Sequence, residues 1–194
     1  MKSIRRMSVI GGIVFSVIVM TSWNTTLAQN LAFSQGMAVL ISDDNESISA
    51  YCAETGKWIT QKITQGKGEA IIHSVSGKMA CCQVGDRLYA FSTQTGAWCK
   101  LELGSKKSGN FRISNSFIVA HSKNQLHGFS ATKGVWRTVN IKSAPDAERQ
   151  TSPPDVMKNA SYVADAVFFT INNHIYAFSG ITGNWDSIDY RKSK

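Results

Sequence analysis

The segment Leu88–Trp98, which reads LYAFSTQTGAW, exists in four gap-free versions along the chain of 194 residues. The other versions are Ile48–Trp58 (ISAYCAETGKW), Leu126–Trp136 (LHGFSATKGVW) and Ile175–Trp185 (IYAFSGITGNW). They share a glycine column (Gly56, Gly96, Gly134, Gly183) and a tryptophan column (Trp58, Trp98, Trp136, Trp185), with Trp-to-Trp spacings of 40, 38 and 49 residues. Self-similarity at such a period indicates a repeat architecture in which each unit is one supersecondary element.

The residues on either side of each segment predict further strands. Upstream, apolar runs such as Met79–Cys82 and Phe117–Ala120 lead into turns containing Gly, Asn or Asp, which accept the positive φ of tight hairpins. Downstream of each Trp, apolar and polar residues alternate, as at Leu101 and Leu103, and a period of two indicates a strand. Each unit therefore has three predicted strands, with room upstream for a fourth, and no helix. The predicted units span about 31–63, 66–103, 105–141 and 142–190.

The central strand of the second unit, Leu-Tyr-Ala-Phe, is apolar on both faces. In the second unit Leu88 and Ala90 lie on one face and Tyr89 and Phe91 on the other, because neighbouring strand residues point to opposite faces. Such a sheet needs a neighbour on each side, and a ring supplies one to every sheet while leaving only short edges. We therefore predict an all-β fold, a small β-propeller of about four blades. The recurrent Trp is expected to fill the space between blades, which contributes up to roughly 4–6 kcal/mol per site.

The turn that precedes each Trp has its own chemistry. Its Gly is expected in the left-handed conformation, which costs other residues more. The hydroxyls of Thr55, Thr95 and Thr182 are expected to bond a local amide. Lys133 stands in the same column of the third unit, so that turn is expected to be the loosest.

The repeats resemble those of the pyrroloquinoline-quinone dehydrogenase-like β-propellers, in which a strand ending in Tyr-Ala precedes a Thr-Gly turn and a Trp. The likeness covers all four units and is carried by Tyr89-Ala90, Tyr176-Ala177, Thr95-Gly96, Thr182-Gly183 and the four Trp residues. It departs where the family has an acidic residue after Ala, since this chain has serines two positions on, at Ser92, Ser130 and Ser179. The resemblance implies a propeller without support for quinone binding. Such relatives usually have more blades, so half of a larger propeller, completed by a second chain as a homodimer, stays open as the alternative.

The first 28 residues have the pattern of an export signal. Lys2, Arg5 and Arg6 form a positively charged start, and Met7–Met20 is an uncharged apolar run before the small residues of Thr26–Ala28. A membrane anchor is the alternative, but the run of 14 residues is shorter than the ~20 that a spanning helix needs. We therefore predict a signal peptide at 1–28, a single repeat domain at 29–194, and a periplasmic, secreted or cell-surface location.

The charge of the chain is mildly positive. The sequence has 21 Lys and Arg against 13 Asp and Glu, and the predicted signal peptide removes three of the basic residues. Basic clusters are limited to Lys106-Lys107 and the C-terminal Arg191, Lys192 and Lys194, whereas a nucleic-acid surface needs a longer stripe interleaved with exposed aromatic residues. Nucleic acid is therefore not an expected partner.

Four cysteines enter a compartment in which disulfides form: Cys52, Cys81, Cys82 and Cys99. A bridge from Cys52 to either Cys81 or Cys82 would connect neighbouring units, and buried thiols are the alternative. The vicinal pair is disfavoured because adjacent strand residues point to opposite faces. A zinc site is not predicted, since the sequence has no Cys-x-x-Cys pair.

No constellation in the sequence points to catalysis or metal binding. The histidines occupy different repeat columns and look incidental: His73, His121, His127 and His174. Nucleophile-elbow and phosphate-loop motifs are also missing. We therefore predict no catalytic, cofactor-binding or metal-binding residue and no cofactor.

The predicted function is that of an exported, non-catalytic binding or scaffold module for a protein or small-molecule ligand. The alternative is an enzyme or cofactor-binding protein that uses the central funnel of the propeller. Residues 142–160, which contain all three prolines, predict a surface loop between blades, with a role in binding as the alternative.

Overall fold

The computed structural model describes residues 30–66, 69–104, 111–141 and 156–191. The predicted signal peptide lies outside the described residues, as does the stretch 142–155 of the proline-containing insertion. The described residues form sixteen strands and a short 3-10 helix, Val156–Asn159. The prediction of an all-β fold is confirmed.

The strands are divided equally among four sheets, which we call blades 1 to 4. Blade 1 contains β1 (Leu31–Ser34), β2 (Met37–Ile41), β3 (Ser47–Cys52) and β4 (Lys57–Lys62). Blade 2 contains β5 (Ile71–Ser76), β6 (Met79–Val84), β7 (Arg87–Ser92) and β8 (Ala97–Glu102). Blade 3 contains β9 (Phe111–Ile113), β10 (Phe117–Ser122), β11 (Gln125–Ser130) and β12 (Trp136–Asn140). Blade 4 contains β13 (Ala160–Val163), β14 (Ala166–Ile171), β15 (His174–Ser179) and β16 (Trp185–Asp189).

Each blade is an antiparallel meander in which sequence neighbours are also sheet neighbours. The turn chemistry explains the meander, because residues with positive φ lie at the hairpins between the second and third strands: Asn45, Gly85, Lys123 and Asn172. The repeat glycines in the turn before each Trp have φ of 65°, 62°, 66° and 71°, values that only glycine adopts without steric cost. The four predicted units are thus four four-stranded blades.

The hydrophobic core lies in the spaces between consecutive blades. Strands β6 and β7 of blade 2 are buried on both faces along almost their whole length, as the apolar pattern of Leu88–Phe91 predicts. In β14 of blade 4 burial alternates instead, with Val167 and Phe169 buried and Phe168 exposed. One face of each terminal blade therefore packs against a neighbour while the other face contacts water.

Helices contribute little to this architecture. In the part of the chain that the structure describes, no helix has the length and apolar character needed to cross a membrane.

Candidate functional site: the faces of the blades

The first repeated contact between blades is a hydrogen bond from an indole to the preceding blade. Nε1 donates from Trp98 to the Ile59 carbonyl at 2.9 Å, from Trp136 to Cys99 at 3.2 Å, and from Trp185 to Arg137 at 3.0 Å. The acceptor is in each case the residue immediately after the Trp of the preceding blade. The Trp column therefore anchors each blade to its predecessor by a directional bond as well as by filling space.

The second repeated contact runs the other way, from the end of the third strand to the next blade. The donors and acceptors are Cys52 to the Thr93 carbonyl (3.9 Å, through sulfur), Ser92 to the Ala131 carbonyl (2.7 Å), and Ser130 to the Gly180 carbonyl. Ser92 and Ser130 are fully buried, so their hydroxyls need these partners. In the sequence these serines stand out only as a departure from a family pattern. Their recurrence in one column was the available signal for this role.

The third repeated contact packs an aromatic ring of one blade onto a small residue of the blade before it. Phe91 shares a core cluster with Ala50, and Phe129 shares one with Ala90. In the last pair a methyl group placed on Gly128 would lie 2.6 Å from the ring of Phe178. Glycine at this position thus permits the close approach of blades 3 and 4.

Together these three contacts define what we call a joint. The described residues form three joints, between blades 1 and 2, 2 and 3, and 3 and 4. The turns add local bonds, since the Thr55 and Thr95 hydroxyls donate to the carbonyls of Cys52 and Ser92. An amide was the expected partner of these hydroxyls. In blade 2 the amide of Gln94 in this turn donates instead to Oγ of Ser92.

The outward face of blade 1 has the tryptophan side of a joint, and none of the four described blades packs against it. Trp58 is 51% exposed and Phe33 is 69% exposed, whereas Trp98 and Val75, their counterparts in blade 2, pack against a core cluster. Trp58 contacts Tyr51 of its own sheet, with ring centroids 5.4 Å apart. The expected filling of a space between blades by Trp therefore applies to the other three residues of the column, whereas Trp58 lies on a face that no other described blade covers.

The outward face of blade 4 has the serine side of a joint and is also exposed. Phe168, which pairs with Ala177, is 38% exposed, and Ile188 is 55% exposed. The residues at the position of Phe168 in the other blades are at most 1% exposed: Val39, Cys81 and Val119. Exposed apolar residues gathered on one sheet face are typical of protein contact surfaces.

The cysteines are all free thiols in the structure, and the predicted bridge from Cys52 to Cys81 or Cys82 is absent. Cys81 clusters with Ala90 against blade 3, while Cys82 clusters on the opposite side of the sheet with residues of blade 1. Cys81 therefore faces away from Cys52. Burial raises the pKa of Cys82 to about 12 and that of Cys81 well above its usual value, which disfavours the thiolate that disulfide formation requires. Formation of a Cys52–Cys82 bridge under oxidising conditions stays a prediction.

His127 lies buried in blade 3 and connects three strands. Its Nε2 is 2.8 Å from Ser122 Oγ, and its Nδ1 is 2.8 Å from Thr138 Oγ1. Burial, with a smaller contribution from the charge of His121, lowers the pKa of His127 to about 4. The neutral imidazole is thus a structural polar group rather than an incidental one. Ser122 and Thr138, on the strands either side of His127, were the sequence signal for this role. Comparing the four units position by position did not reveal it.

Two shallow polar indentations lie where the hairpin between a second and third strand meets the end of a fourth strand. One, of about 400 Å³, is lined by Glu102, Lys123, Asn124, Gln125 and Asn140; the other, of about 350 Å³, lies in blade 1 beside Asp44, Glu46 and Lys62. Among the residues that the structure describes, no group of three or more His, Cys, Asp or Glu could hold a metal ion. The candidate functional surface is the pair of outward blade faces, because they carry the exposed Trp58, Phe168 and Ile188.

No known protein family matches this sequence, and no curated protein matches it. Solved structures do. The chain is similar to Hsv2 from Kluyveromyces lactis, with 12% identity, a TM-score of 0.37, and 82% of this chain and 52% of that chain covered. It is similar to AztD from Citrobacter koseri, with 12% identity, a TM-score of 0.40, and 82% of this chain and 46% of that chain covered. It is also similar to the WD40 domain of SCAP from fission yeast, with 10% identity, a TM-score of 0.40, and 83% of this chain and 45% of that chain covered. The chain thus spans about half the length of these structures, and its assignment as a β-propeller stands on the four blades and their joints.

Proposed function

We propose that the chain is an exported, non-catalytic protein-binding or scaffold module built on propeller repeats. The observation that carries the proposal is the outward face of blade 4, where Phe168, Ile188 and Val163 are 38%, 55% and 54% exposed. Burying such residues against a partner removes apolar area from water, at about 25 cal/mol per Å². A folded protein that leaves them exposed on one sheet face is poised to bind another protein there.

The export component of the proposal is supported by the N-terminal pattern of Lys2, Arg5 and Arg6 followed by the apolar run Met7–Met20. The expected mature N-terminus is Gln29. Fractionation of the producing cells with mass spectrometry of the mature chain tests this component, and retention of residues 1–28 on an intracellular protein would contradict it.

The repeats are proposed to belong to the pyrroloquinoline-quinone dehydrogenase-like superfamily. Support comes from the Tyr-Ala pairs at Tyr89 and Tyr176, the Thr-Gly turns, and the Trp column. Within this proposal the chain uses the repeat as a rigid support and binds no quinone.

Photo-crosslinking in the producing cells tests the binding component. A photoactivatable residue replaces Ile188 on the outward face of blade 4, and in a control it replaces Thr132, an exposed residue in a turn of blade 3. The proposal expects protein adducts at position 188 that are absent or much weaker at position 132. Equal yields at the two positions, or no adduct at 188, would overturn it.

A further inference from the structure

We propose that the outward faces of blades 1 and 4 bind each other between two copies of the chain, and that two such contacts close a ring of eight blades. The inference rests on the proposed function, for which it names the partner. The two outward faces are the two halves of the joint that the described blades already form three times.

The polar groups of the two faces are complementary. Among the described residues, the indole N–H of Trp58 has no hydrogen-bond acceptor, and Trp58 stands in the column of Trp98, Trp136 and Trp185. The matching acceptor column, which contains Ile59, Cys99 and Arg137 in the existing joints, continues in blade 4 as Asp186. The carbonyl of Asp186 is therefore the expected partner of Trp58 from a second copy.

The reciprocal bond is also prepared. Ser179 stands in the column of Ser92 and Ser130, and it accepts the amide of Thr182 just as Ser130 accepts the amide of Lys133. Its hydroxyl hydrogen is available for a carbonyl in a following blade. The carbonyls that accept this bond belong to Thr93, Ala131 and Gly180, and Ala53 stands in the same column of blade 1. The expected bond therefore runs from the Ser179 hydroxyl of one copy to the Ala53 carbonyl of the other.

The apolar surfaces match in shape as well. Ala177 is the small residue of the last blade, and Tyr51 is the aromatic residue of the first, in the columns where Phe91 covers Ala50 and Phe129 covers Ala90. A second copy seated in this way would cover Phe168 as blade 4 covers Val119, which is fully buried. It would also cover Ile188, whose counterpart Val139 packs against the core between blades 3 and 4.

The direction of the joint decides the assembly. A contact between two different faces is heterologous, and such contacts generate either a closed ring or an open filament. In a single chain Trp58 and Phe168 are exposed together, so the two faces of one copy do not cover each other. Two copies arranged head to tail use both faces of both chains and leave neither face in water.

The test uses the purified protein, with its N-terminus as the cell leaves it, and sedimentation equilibrium over a range of concentrations. The wild type is expected to have twice the chain mass. Ile188→Asp is expected to raise the dimer dissociation constant at least about 100-fold, because a carboxylate would be buried without a partner. Ile181→Asp is the matched control, since Ile181 is 56% exposed and its counterparts Gln94 and Thr132 stay exposed beside the existing joints.

A second variant distinguishes the head-to-tail joint from a symmetric contact between two blade 4 faces. Trp58→Ser changes only the blade 1 face, so it is expected to weaken the dimer as Ile188→Asp does, whereas a symmetric contact through blade 4 would be insensitive to it. Both side chains are half exposed in one chain, and circular dichroism checks that the variants fold.

The outcomes separate this inference from the proposed function. A monomeric wild type, an unlimited series of larger assemblies, or a dimer that tolerates both substitutions would overturn the inference. If such a protein still forms adducts with another protein through position 188 in cells, the proposed function stands without it. If position 188 forms no adduct and the purified protein is a monomer, both are overturned.

Discussion

The close approach of blades 3 and 4 at Gly128 leads to a quantitative prediction. Alanine at this position would place its Cβ 2.6 Å from carbon atoms of the Phe178 ring, well inside van der Waals contact. Phe178 is fully buried between Trp185 and Phe117, so the ring cannot move without displacing its neighbours. Overpacking of a dense core costs about 1–3 kcal/mol.

A competing effect has the opposite sign. Alanine restricts the unfolded chain more than glycine does, which favours folding by about 0.5–1 kcal/mol. The two ranges leave a net loss for Gly128→Ala of about 0–2.5 kcal/mol in the free energy of unfolding, with a central value of about 1 kcal/mol. Urea denaturation monitored by tryptophan fluorescence measures it, with an unchanged m-value as the sign that the surface exposed on unfolding is the same.

The control is a double-mutant cycle with Phe178→Leu, which removes the ring that the new methyl group would meet. Gly128→Ala is expected to cost less in the Phe178→Leu background than in the wild type, and the difference measures the clash. A Gly128→Ala substitution that has the same effect on stability in both backgrounds would refute the reasoning about the joint.

Three further predictions concern stability and reactivity. The pKa of His127 is lowered from 6.5 to about 4 in the folded protein, so between these pH values the unfolded state binds a proton that the folded state does not. The free energy of unfolding is therefore unaffected by this group above pH 6.5, and it falls by up to about 3 kcal/mol as the pH falls towards 4. Denaturation at several pH values should show this slope, and a His127→Gln protein with the same slope would contradict it. Trp98→Phe should lower the free energy of unfolding by about 1 kcal/mol, because the indole hydrogen bond is lost. Trp58→Phe should change it by less than about half that amount, when both are measured at concentrations low enough for a single chain. Equal losses for the two variants would contradict the role of the indole in the joint. Native protein should resist alkylation of Cys82 at pH 8 and react there only after unfolding, because the raised pKa suppresses its thiolate; mass spectrometry of the labelled chain measures this, and rapid labelling of native Cys82 would contradict it.

The sequence predicts the blades well because their determinants are local. The continuous apolar run Leu88–Phe91 defines a strand that is buried on both faces, and the glycine before each Trp defines the turn that follows. Both signals act within a dozen residues, and the turn signal recurs in all four units, including the third, where Lys133 replaces the Thr. Strand content and the number of sheets follow from these signals without any knowledge of how the sheets meet.

The joints could not be predicted in the same way because their partners are about 40 residues apart and the acceptors are backbone carbonyls. The side chains of Ile59 and Arg137 give no indication that their backbone carbonyls accept a hydrogen bond from an indole N–H. The exposure of Trp58 was missed for a related reason, since its side chain matches those of Trp98 and Trp185 and only its place in the array differs. The recurrence of Ser92 and Ser130 was visible, but without the geometry it signified only a deviation from a family pattern.

The use of main-chain oxygens as acceptors has an evolutionary consequence. Ile59, Cys99 and Arg137 all accept the indole through the main chain, so an aliphatic, a thiol and a cationic side chain each occur at that position. The indole bond therefore places no constraint on the side chain of its acceptor residue. A unit gained or lost as a whole would keep that bond, and its fit to the adjoining unit would depend instead on facing pairs such as Gly128 and Phe178.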